Sequence, residues 1–108
     1  MRQSRHIVVY TTCPDVDSAK TIARTLLERR LAACVNMLSI SSMYWWKGAL
    51  EEGEEVGVLI KTTSDRYEDI ERALSEMHPY ELPALLVLPV SGERRYLSWI
   101  EESVAEQG

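Results

Sequence analysis

Tyr44-Trp45-Trp46-Lys47-Gly48 ends a long run that begins near Ala33 and passes through Asn36, Leu38 and Ile40, rich in β-branched and aromatic residues and free of proline. It reads as one strand of about 14 residues, roughly 45 Å at about 3.3 Å per residue, where five or six residues are usual. Glycines and glutamates punctuate residues 48–55, and then Val56, Val58 and Ile60 alternate onto one face of a second strand, Val56-Gly57-Val58-Leu59-Ile60-Lys61-Thr62-Thr63. The two strands form a hairpin whose base packs in the domain. Its tip is a two-stranded ribbon carrying Trp45 and Trp46, and such ribbons are marginal alone in water. Long apolar edges aggregate unless a closed assembly pairs them, so the ribbon's length predicts a homo-oligomer. The alternative is that the Trp pair packs beneath a loop of its own subunit.

At 108 residues, 45% hydrophobic and 27% charged, the chain (1–108) fits a single domain with a small core. A net charge of −5 argues against a general nucleic-acid binder, which needs a clustered basic surface. Arg29-Arg30 and Arg94-Arg95 are the basic pairs, and neither is interleaved with stacking aromatics. No apolar run approaches the roughly 18 residues of a membrane helix, so no membrane partner is expected and the cytoplasm is the expected location. Cys13 and Cys34 lack the spacing of a metal knuckle and are too few for a secreted disulfide scaffold.

The remaining elements follow in order. His6 to Thr12 reads as a nearly continuous buried strand closed by Pro14-Asp15. Asp15 or Asp17 caps a helix whose face carries Ala19, Ile22, Ala23, Leu26 and Leu27. Beyond the hairpin, Asp65 and Glu68 resemble a capping box opening a helix with Tyr67, Ile70, Leu74 and Met77 inward, stopped by Pro79. Leu82 to Val90 holds a fourth strand between prolines, and Tyr96, Leu97, Ile100 and Val104 outline a third helix.

The order β-α-β-β-α-β with an added C-terminal helix is the split-βαβ, ferredoxin-like α+β arrangement, a four-stranded antiparallel sheet with two helices on one face. Right-handed crossovers run strands one and two one way and strands three and four the other. Cys13 and Cys34 then lie at opposite ends of the sheet, too far apart for a disulfide. The end of strand one, the end of helix two and the start of strand four meet at one edge, which should cluster Cys13, His78, Tyr80 and Glu81, with Met77 adjacent. Thiol, imidazole, thioether and carboxylate together suit copper or zinc better than magnesium or calcium. One Cys and one His cannot complete a tetrahedral site without water, a carboxylate or a neighbouring subunit, and His78-Pro79 taken alone is more often a helix stop with a partly exposed imidazole. His6 is expected at the surface, Cys34 in the core, and the acidic cluster Glu51, Glu52, Glu54 and Glu55 as a solvated tip that deters edge pairing.

Five motifs carry a resemblance: Leu31-Ala32-Ala33-Cys34-Val35-Asn36, Tyr44-Trp45-Trp46-Lys47-Gly48, Lys61-Thr62-Thr63, His78-Pro79-Tyr80-Glu81-Leu82-Pro83 and Tyr96-Leu97-Ser98-Trp99-Ile100. In this order and spacing they closely resemble the CutA family of divalent-cation tolerance proteins, across roughly Ile7 to Val104. The resemblance implies a cytoplasmic homotrimer of ferredoxin-like subunits, similar to the PII signalling proteins, whose long hairpins bridge neighbours. It also implies copper binding through a cysteine near the end of strand one and a His-His pair before the proline. This chain departs at two of those three positions, with Thr11 and Met77 there, and only His78 carries over directly. Cys13, two residues beyond Thr11, projects to the same face of an extended strand.

Three function classes follow. The first is a trimeric metal-binding protein in metal-ion response, with His78, Cys13, Met77 and Glu81 as ligands of copper or another divalent cation. The second is a PII-like trimer sensing a small ligand in clefts between subunits. The third, an enzyme, has the least support: there is no Ser-His-Asp order, no phosphate-cradling glycine loop and no paired carboxylates beside a histidine.

Overall fold

A computed structural model of the chain describes residues 5–105. The elements are β1 (His6–Cys13), α1 (Val16–Glu28), β2 (Cys34–Trp46), β3 (Ala49–Thr63), a 3-10 turn (Ser64–Arg66), α2 (Tyr67–Met77), β4 (Leu86–Pro89) and α3 (Arg94–Ser103). One antiparallel sheet has the order β2-β3-β1-β4, the ferredoxin-like topology expected from the element order.

Burial alternates strictly along β1, so Ile7, Val9, Thr11 and Cys13 face inward while the intervening residues are partly exposed. The expected continuous burial is thus replaced by the two-faced pattern of an antiparallel sheet. Against this face and against Val56, Val58 and Ile60 of β3 pack Ala19, Ile22 and Leu26 of α1 and Ile70, Ala73 and Leu74 of α2. Leu27, expected on the inner face of α1, is exposed. Asp15 caps α1 by accepting a 2.7 Å hydrogen bond from the Ser18 N–H. At its other end Arg30 takes a left-handed φ of 59°, and Leu31 N–H reaches Leu26 O at 2.9 Å, a Schellman closure in which glycine is the more usual residue.

The hairpin departs most from expectation. Residues 48–55 are not a loop: β3 starts at Ala49 and pairs with β2 without interruption, from Trp46↔Ala49 to Cys34↔Lys61. The connection is the two-residue Lys47-Gly48, with φ of 51° and 80°, both in the left-handed region that tight hairpins use. Glutamate and glycine have little strand preference of their own, and here the register with β2 overrides it. The molecule measures 46 Å along its longest axis and 22 Å along its shortest.

Other expectations are corrected at element ends. β4 spans four residues, Leu86 to Pro89, in place of the expected Leu82 to Val90, because it pairs only with Ile7 to Tyr10 and prolines bound it. The expected Asp65–Glu68 capping box does not form; a 3-10 turn leads into α2, and Asp65 accepts from the Thr63 hydroxyl instead. Glu93 caps α3 through the N–H groups of Arg95 and Tyr96. His6, expected at the surface, lies half-buried 2.6 Å from the Glu101 carboxylate, joining β1 to α3. Cys34, expected in the core, is only partly buried, and both cysteines are free thiols.

Candidate functional site

The site grows from the way α2 ends. Pro79 bars His78 from continuing the helix, and the histidine takes an extended backbone, φ −72° and ψ 135°. This turns the imidazole back over the end of β1. Nδ1 accepts a 3.1 Å hydrogen bond from the Tyr80 N–H, so the ring proton sits on Nε2, which donates to the Thr12 carbonyl at 2.8 Å. Thr11 Oγ1 and Cys13 Sγ lie 3.4 Å and 3.9 Å from the same nitrogen. Burial holds the imidazole below its ordinary pKa, against the opposing pull of the Thr12 carbonyl and the Glu55 charge. The Cys13 thiol, fully buried, is pushed up to about 11 by burial and then by Asp15 and Glu55. At neutral pH the pair is a neutral thiol beside a neutral imidazole.

Tyr80 extends this cluster outward. Its hydroxyl donates to the Glu55 carboxylate at 2.6 Å, and its ring stands 5.1 Å from the imidazole. Burial pushes Glu55 upward, but hydrogen bonds from Ser42, Tyr80 and Thr12 and the attraction of His78 outweigh it, so the carboxyl titrates below its ordinary value. Glu55 follows the tip's acidic run and precedes Val56, the partner of Cys13 in the β1–β3 ladder, so it stands where the three-stranded sheet gives way to the ribbon. Reading that run as a solvated tip missed it. The missing signal was register: only pairing through residues 49–55 brings Glu55 beside the β1 end.

Of the four expected ligands, two come together. His78 and Cys13 meet at the shared edge, with Tyr80 as expected. Met77 is partly buried against the hydrophobic core, and Glu81 is exposed with its carboxylate 4.0 Å from Lys47 Nζ. Among the described residues no three His, Cys, Asp or Glu side chains are grouped so as to hold a metal ion. Beside the cluster lies an open groove of about 940 Å³, walled by the hairpin tip and by residues 79–84. No helix of the described residues is long and apolar enough to cross a membrane.

Comparison with known proteins agrees with this architecture. The family model described as CutA1 divalent ion tolerance protein matches residues 7–103. The divalent-cation tolerance protein CutA of Pyrococcus horikoshii is 42% identical over 97 residues, covering 89% of this chain and 95% of that protein. The CutA homolog of Xenopus laevis is 46% identical over 99 residues, covering 90% of this chain and 66% of its own. Among solved structures, the periplasmic divalent cation tolerance protein CutA of Archaeoglobus fulgidus superposes with a TM-score of 0.90 at 37% identity, covering 93% of this chain and 99% of that one. With the match running from β1 to the last residue of α3, the chain belongs to the CutA family of divalent-cation tolerance proteins.

Proposed function

We propose that the protein acts in the response to divalent metal ions as a cytoplasmic homotrimer. Copper or another divalent cation is taken at the shared edge by His78 and Cys13, with water or a neighbouring subunit completing the donor set. The observation that carries this reading is the approach of imidazole Nε2 to the Cys13 thiol, 3.9 Å apart, in a member of a divalent-cation tolerance family. Thiol and imidazole are donors that suit copper and zinc. Both His78 nitrogens are engaged in hydrogen bonds and Cys13 is protonated at neutral pH, so cation uptake releases protons and strengthens as pH rises. The exposed tip supports the trimer: Trp45 is 74% exposed, Met43 67% and Leu50 58%. Two free thiols suit a reducing compartment. No catalytic step is assigned to the site.

Titration of the reduced protein with Cu(I), Cu(II) and Zn(II) under a competing chelator tests this, with Cys13→Ser and His78→Ala in parallel and oligomer mass recorded. Saturable binding near one metal per subunit, weakened by both substitutions, is the expected result. Binding no greater than that of an unrelated control protein overturns it. The groove favours the second reading, a PII-like trimer that senses a small ligand and performs no catalysis.

A further inference from the structure

We propose that the groove beside the hairpin tip binds a small organic cation, an ammonium group carrying an aromatic or alkyl body, with the charge at Glu55 and Glu51 and the body against Tyr44, Trp46 and Tyr80. This rests on the small-ligand reading of the groove and specifies the ligand's chemistry; it does not require a metal at His78. The groove's lining contains three carboxylates, Glu51, Glu55 and Glu81, four aromatic rings and no basic side chain. Carboxylates interleaved with π faces recognise a cation with an organic body, while a hydrated inorganic ion has no use for the rings and an anion is repelled. Glu55 is fixed in place: the Tyr80 hydroxyl holds it at 2.6 Å, with further hydrogen bonds from Ser42 and Thr12. Its carboxylate is therefore pre-oriented in the groove wall.

A second observation is independent of Glu55. Beside the groove the protein places an ammonium of its own on this chemistry: Lys47 Nζ stands 5.5 Å over the Trp46 ring and 4.0 Å from the Glu81 carboxylate. Lys47 is not among the residues lining the groove, but it contacts two that are, Trp46 and Glu81, and its side chain is 70% exposed, so a ligand ammonium would compete with it for them. A ligand ammonium enters the same kind of site on the hydrogen-bonded carboxylate of Glu55.

The test is a calorimetric titration of the full chain at neutral pH and low salt, with chelator present, using phenethylamine, which is cationic there, and two analogues of the same body, neutral 2-phenylethanol and anionic phenylacetate. Saturable phenethylamine binding, at least about tenfold tighter than the alcohol and with none detectable for the acid, is expected. Glu55→Gln should weaken it at least about fivefold, as should Glu51→Gln, which leaves the Tyr80 contact untouched, while Lys47→Ala should tighten it about twofold by removing the internal competitor. Equal affinity for amine and alcohol would overturn the cation proposal while leaving a small-ligand groove standing. Absence of binding by all three probes would overturn both.

Discussion

The base and the tip of the hairpin are built from the same two strands in one unbroken register, yet they meet opposite surroundings. At the base, Val56, Val58 and Ile60 are almost fully buried because β1 pairs along β3 as far as Cys13↔Val56 and the helices cover that face. Beyond Val56 the ladder continues for seven more pairs with no third strand, and Met43, Trp45 and Leu50 stand open. Backbone pairing therefore specifies the ribbon's shape, while burial is supplied to only half of it. The subunit's own stability should reside in the base, and the tip should express its energy only against another chain.

The largest effect follows directly. Ile60→Ala removes a buried side chain at the centre of the base and should destabilise the subunit by about 2–5 kcal/mol, read as a lowered denaturation midpoint. Replacing Trp45 and Trp46 together by Ser should leave far-UV circular dichroism of the subunit in place but lower oligomer mass or solubility, since each ring contributes a few kcal/mol where it becomes buried, at about 25 cal/mol per Å². An equally heat-stable, unchanged oligomer would show that the assembly energy lies elsewhere and would break the contrast. Gly48→Ala is the smaller probe of the tip's geometry. The position has φ of 80° and nothing within 4 Å of an added Cβ, so the cost is backbone strain alone, about 1 kcal/mol, and should appear as faster amide exchange confined to residues near the turn.

The base was legible in the sequence because its residues carry period-two alternation, and α1 because Asp15 and the spacing of Ala19, Ile22 and Leu26 agree. The tip's second strand was not. Glu51, Glu52, Gly53 and Glu54 look like a loop in isolation and become strand only because Tyr44, Met43, Ser42 and Ser41 lie opposite them. The site was half legible for the same reason. Topology alone brought Cys13, His78 and Tyr80 to one edge, but the hydrogen bonds that occupy both nitrogens of His78 depend on the Thr12 carbonyl and the Tyr80 N–H, main-chain groups that no side-chain pattern reveals. Glu55 and the link from His6 to Glu101 depend on register and on the docking of α3.

The smallest expected effect lies at the junction of base and tip, where Tyr80 links His78 to Glu55, and it is a dependence on pH. Burial lowers the His78 pKa in the folded chain, so the unfolded chain takes up that proton first, below about 6.5. Between that value and the lower folded pKa the unfolded state binds more protons, and stability rises with pH. The contribution is complete above about 6.5 and is lost as pH falls through the folded pKa. Glu55, whose folded pKa is also lowered, adds a separate loss only when pH falls below the ordinary carboxyl range, near 4.5. Urea denaturation in steps from pH 7.5 to 4 should therefore show two descending segments, and His78→Gln should flatten the upper one while sparing the lower. An upper segment unchanged in His78→Gln would mean that the imidazole is as solvated as in the unfolded chain, and that the junction does not couple the buried base to the exposed tip.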